Sequence, residues 1–207
     1  MSRGRRTAIE AGLGDTRTRI LGIFLIIVGV LGTFLMRRYA NIETMFVASL
    51  LAGSLLGRWW AVIVPLSALT AQQVLEWSLL GGYVLNAMAG ITFFVVSGYL
   101  FVGFVGRRIR PRILFRVKSV AILTTISIPL TLAYDLWTAV GEWYFITRPF
   151  GVNIETVLKA QVPFTLYHLL SALLFVPLFG TAFLFLQTYG WPAKTEDTAP
   201  ATPVDRR

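Results

Sequence analysis

Within ten residues the chain places Asp135, Trp137, Glu142, Trp143 and Tyr144. Acids interleaved with flat aromatic rings are what a small-molecule pocket needs, because rings supply apolar walls and a few polar groups orient the ligand. The sequence therefore predicts a binding site here. Trp137 and Trp143 would stack on a planar ligand, Asp135 and Glu142 would orient its donors, Tyr144 would complete the rim, and Asn86 and His168 would lie beneath. His168 sits in an apolar run, about ten residues below its outer end and so roughly 13 Å deep at 1.5 Å per residue. An ionisable group at that depth is a candidate site by default, and the alternative is a neutral imidazole bonded to a neighbouring helix. Thr165 and Tyr167 adjoin it, and Gln161 falls on a similar face above. A second reading of the tryptophans is an aromatic belt at the membrane interface.

Other chemistries fit less well. There are no cysteines, so disulfides, thiolate metal sites and thiol redox chemistry are excluded. One histidine and ten acidic residues make a buried metal centre an unfavourable expectation, and no cofactor is expected. No GxxxxGK[ST] phosphate loop is present. Ser97-Gly98 followed by His168 has the order seen in rhomboid-type intramembrane serine proteases, but position 95 is valine where that motif needs glycine. The two side chains would also differ in depth by roughly 5–7 Å, too far for a general base. The chain is not expected to be an enzyme.

The elements that must hold these residues are apolar. The hydrophobic share is 56%, against about 45–50% in soluble domains, and the mean hydropathy is +0.69. Uncharged windows run over Ile20–Met36, Thr44–Gly57, Trp59–Leu75, Trp77–Gly106, Ser119–Tyr134 and Ala160–Ala193. A span needs about 20 residues. The second window is short and reaches that length only if Asn41–Glu43 and Arg58 mark its interfaces. The expected fold is all-α, a polytopic membrane bundle of six transmembrane helices over residues 20–190. A basic N-terminus (1–19) precedes it and a Pro/Thr/Ala-rich tail (191–207) without periodicity follows.

Charge decides the orientation. Arg3, Arg5, Arg6, Arg17 and Arg19 flank the first window, and Arg107, Arg108, Arg110, Arg112, Arg116 and Lys118 precede the fifth. By the positive-inside rule both blocks face the cytoplasm, so an even number of spans separates them. Both termini are then cytoplasmic in a multi-pass cell-membrane protein, and the outer loops are Arg37–Glu43, Gln72–Asn86 and Asp135–Lys159. Arg37 and Arg38 fall outside against the rule. Ala48 and Ala52, with Gly22 and Gly29 in the first window, have small-residue spacing that lets helices approach closely. They serve either internal packing or docking of a membrane partner. Pro65, Pro129, Pro163 and Pro177 interrupt three of the windows.

The stretch NIETMFVASLLAGSLLGRWWAVIVPL (41–66) resembles the second and third helices of substrate-binding S components of energy-coupling factor (ECF) transporters. TLAYDLWTAVGEWYF (131–145) and VPFTLYHLLSALLF (162–175) are similar to the end of helix 5 and the start of helix 6 in that group. The resemblance covers roughly residues 20–187. It implies a six-helix bundle that captures a vitamin-like small molecule from outside, with loop 1 as a lid. It also implies association with a membrane coupling protein and ATPase subunits, which hydrolyse ATP while the bundle topples to release its cargo inward. The chain departs from the family in carrying its alanine pair in helix 2 rather than helix 1. It also has Gln72-Gln73 where related proteins tend to place an aspartate. The competing class is a non-transporting membrane scaffold or assembly factor. No nucleic-acid partner is expected.

Overall fold

The computed structural model describes residues 16–36, 44–57, 59–80, 89–113 and 117–189. Asn86, Asn41–Glu43, Arg58 and both chain ends lie outside the described residues. The described elements are helical. They are α1 (Thr16–Met36), α2 (Met45–Leu51, continued by a π turn Ala52–Leu56), α3 (Trp60–Leu80) and α4 (Ala89–Ile109, then a 3-10 turn Arg110–Arg112). After these come α5 (Val117–Glu142) and α6 (Ile154–Tyr189). The chain is an all-α bundle.

α2 is the core. Every residue from Met45 to Leu56 is buried, as expected for a helix that is apolar on all sides. Its two serines, Ser49 and Ser54, return their hydroxyl protons to the carbonyls of Met45 and Leu50 at 2.8 Å each, so neither presents an unpaired donor. α1, α3, α4 and α6 pack on α2, and α5 lies between α4 and α6 in the most extensive helix pair of the bundle. Phe24 of α1 meets Phe183 of α6 with ring centroids 5.7 Å apart, closing a ring of five helices around α2.

The tightest crossing is between α2 and α4. A Cβ on Gly53 would overlap the Gly103 carbonyl, and one on Gly106 would lie 2.6 Å from the Leu50 carbonyl. Only glycine allows backbones that near. Gly57 ends α2 with φ 118°, a conformation other residues adopt at a cost, and the Arg110 side chain lies against it.

Consecutive helices alternate in direction. Gly22 near the start of α1 faces Trp60 at the start of α3, and Gly103 near the end of α4 faces Ala61. Arg17 and Arg19 therefore share one end of the bundle with Arg107, Arg108, Arg110 and Arg112. This is the even spacing that the charge pattern required.

The exterior is inverted relative to a water-soluble protein. Ile20, Ile23, Ile27, Leu31 and Leu35 of α1 are exposed, as are Leu166, Leu170, Leu174 and Leu178 of α6. Ser127, Thr131, Asp135, His168 and Ser171 are buried. Contiguous apolar surface on that scale has lipid as its solvent. Thr16–Met36, Gly90–Arg112, Val117–Phe150 and Ile154–Leu186 are long and apolar enough to cross a membrane. The chain is membrane-embedded. Two of the six expected spans come out shorter, Met45–Leu56 and the apolar part of α3, Trp60–Leu75. Enclosure by neighbours lets α2 be short, since its ends meet protein.

The third outer loop is also smaller than the charge pattern implied. α5 runs through Asp135 to Glu142 and continues as a π turn, Trp143–Thr147, and a 3-10 turn, Arg148–Phe150. Nothing between Asp135 and Val140 breaks a helix. Asp135 marks no interface because it finds a hydrogen-bond partner, His168, inside the bundle. α6 starts at Ile154, where the Asn153 side chain accepts from the Thr156 N–H at 2.8 Å. α6 then passes through Pro163 and Pro177 without ending.

Candidate functional site

The seam between α5 and α6 holds an acid–imidazole pair. Nδ1 of His168 and Oδ1 of Asp135 are 2.7 Å apart, with Asp135 2% and His168 1% exposed. That distance is in the range of charge-assisted hydrogen bonds. Aromatic rings enclose the pair. Phe46, in the first turn of α2, meets the imidazole edge to face at 5.1 Å, and Tyr134 does so at 5.5 Å. Tyr99 of α4 backs Tyr134 at 4.7 Å.

The pair is only half satisfied. Oδ2 of Asp135, Nε2 of His168 and the hydroxyl of Thr131 are buried without a hydrogen-bond partner among the described residues. Buried polar atoms are normally paired, and those that are not call for a bound water, an ion or a functional reason. Ser127, Thr131 and Asp135 recur at i, i+4 and i+8, so they share one face of α5. All three are buried. Ser171, one turn beyond His168 on α6, is buried as well.

Two turns above the pair is a cleft of about 210 Å³. Glu142, Thr147, Thr156, Val157, Gln161 and Phe164 are among its lining residues. Glu142 is seven residues beyond Asp135 and Gln161 seven before His168, so each lies on the same helix face as a member of the pair. The vertical offset is about 10 Å at 1.5 Å per residue. The cleft and the pair thus lie at two levels of the α5–α6 interface, with neither Asp135 nor His168 in the cleft lining.

The expected site residues are redistributed accordingly. Asp135 and His168 come together below, and Glu142 lies in the cleft. Trp143 does not line the cleft. Its indole N–H donates to the Val152 carbonyl at 3.0 Å, folding the turn between α5 and α6. The Arg148 guanidinium lies over the rings of Trp143 and Tyr144, 5.5 Å and 5.1 Å from their centroids. Tyr144 is 49% exposed. Trp137, 41% exposed, donates from its indole to the Ser97 hydroxyl at 2.9 Å and packs on Phe94 at 4.6 Å. The two tryptophans expected to stack on a ligand are held by different neighbours, Trp137 by Ser97 and Phe94 of α4 and Trp143 by Val152 in the turn before α6. Asn86 lies outside the described residues.

Ser97 hands its own proton to the Phe93 carbonyl at 2.6 Å, and among the described residues it makes no hydrogen bond to His168. The four small residues considered for docking are all internal. Ala48 and Ala52 are fully buried in α2, Gly22 packs under Trp60, and Gly29 packs against Met45, Ala48 and Ala68. They present no surface to a partner. Their spacing serves the packing of this bundle.

No family model matches the sequence, and no curated protein or solved structure matches it either.

Proposed function

We propose that this chain is the substrate-binding membrane subunit of an ECF-type importer. It takes a small vitamin-like or other micronutrient molecule from outside and releases it inward with a membrane coupling protein and ATPase subunits. The observation that carries the reading is the α5–α6 interface: a cleft at the opposite end of the bundle from Arg107–Arg112, above a buried acid–imidazole pair with atoms left unsatisfied among the described residues. A scaffold has no use for orphaned polar atoms in an apolar bundle, whereas a ligand-binding protein uses them. The chain itself does no chemistry on the ligand, and ATP is hydrolysed by the partners. The ligand enters at the cleft, where Glu142 and Gln161 orient it, while Asp135 and His168 set the polarity beneath.

Thermal unfolding of the purified protein against a panel of vitamins and nucleobases tests this. At a hundredfold excess over its dissociation constant, a true ligand adds about 2.7 kcal/mol of stability. A panel without any shift would favour the scaffold.

A further inference from the structure

We propose that the ligand held in the cleft is a small organic cation, with Glu142 as its counter-charge; this rests on the ligand-binding reading above. Glu142 is half-buried and makes no ion pair among the described residues, where Glu155 pairs with Lys159 and Asp135 is hydrogen-bonded to His168. The cations nearest in sequence are engaged elsewhere. Arg148 covers the rings of Trp143 and Tyr144, and Lys159 is 2.7 Å from Glu155. The other polar cleft walls are neutral, two threonine hydroxyls and the Gln161 amide. Desolvating a carboxylate without a counter-charge is costly. A neutral ligand would deepen that cost and an anion would add repulsion. A cation relieves it, and Phe164 offers an aromatic ring that also favours positive charge.

Size narrows the class further. A cavity of about 150 Å³ accepts benzene, so about 210 Å³ accommodates a single ring bearing a short polar arm. The class is therefore a one-ring or similarly compact amine that is protonated in water.

The experiment uses the full-length protein in nanodiscs and three matched probes: benzylamine, benzyl alcohol and benzoate. Binding is read by ligand-observed NMR and isothermal titration. Benzylamine should bind, with benzyl alcohol and benzoate at least tenfold weaker. Glu142→Gln should cut benzylamine affinity roughly 10- to 100-fold, the loss expected for one charge-assisted contact. Glu142→Asp should retain a clear preference for the amine. Glu142 is partly exposed, so these variants should fold, and an unchanged melting temperature without ligand checks this. Equal or tighter binding of benzyl alcohol or benzoate would overturn the charge assignment while leaving the cleft as a binding site. Binding of benzylamine that ignores Glu142→Gln would likewise overturn it. Failure of all three probes would overturn the cleft itself as a ligand site, and the importer reading with it.

Discussion

Phe46 and His168 meet edge to face at 5.1 Å, so the first turn of the enclosed helix forms one wall of the acid–imidazole pair. Core packing and site geometry are therefore the same contact. Truncating Phe46 to alanine should cost about 3–5 kcal/mol, as for large core aromatics, and should also loosen the imidazole. Thermal denaturation gives the first. The second appears as loss of a single sharp His168 signal in the imidazole NMR spectrum.

Asp135 and His168 should show strong coupling in a double-mutant cycle. Removing one partner, as in Asp135→Leu or His168→Leu, leaves a polar group stranded and should cost about 3–5 kcal/mol. The double variant Asp135→Leu with His168→Leu should regain most of that loss, because two apolar residues there leave nothing unpaired. Chemical denaturation in detergent measures all three variants. Additive losses would show the pair to be energetically separate.

Trp143→Phe should remove the bond to the Val152 carbonyl and cost about 0.5–1.5 kcal/mol. Because Trp143 does not line the cleft, benzylamine affinity should change by less than about twofold. Titration of this variant beside Glu142→Gln separates the residue that folds the turn from the residue that faces the ligand.

Gly53→Val should be among the most damaging small substitutions, since the new side chain would occupy the place of the Gly103 carbonyl. Overpacking costs about 1–3 kcal/mol and sometimes more. Backbone against backbone has no side-chain rotamer to relieve it, so the loss should reach the top of that range or pass it. Melting temperature against the parent chain checks this.

Arg148→Cys and Arg112→Cys should label from opposite sides of the membrane. The native chain has no cysteine, so each variant carries a single thiol. An impermeant maleimide should reach position 148 in intact cells and position 112 only after permeabilisation. The reverse pattern would invert the bundle.

Much of this fold was legible because lipid imposes a simple code. Apolar windows broken by arginine mark helices, and the parity of the basic blocks gave the alternation that Gly22–Trp60 and Gly103–Ala61 display. Asp135 was misplaced because a charge in a hydropathy pattern reads as an interface, and only His168, thirty-three positions away, cancels it. The repeat of Ser127, Thr131 and Asp135 at helical spacing was a signal that could have drawn the acid inward. The tryptophans show a different limit. Residue type says that an indole N–H will find an acceptor, but not that the acceptor will be Val152 or Ser97. Ala48 and Ala52 posed the same limit, since small-residue spacing looks alike whether the facing helix belongs to this chain or another.

A helix of twelve residues is about 18 Å long, while the hydrocarbon layer is about 30 Å thick. α2 touches protein on every side, so it cannot hold its place in lipid until its neighbours stand around it. The surrounding wall is therefore what keeps so short a helix in the bilayer. The join of Phe24 with Phe183, linking the first helix to the last, is the contact that waits for the whole chain to be made.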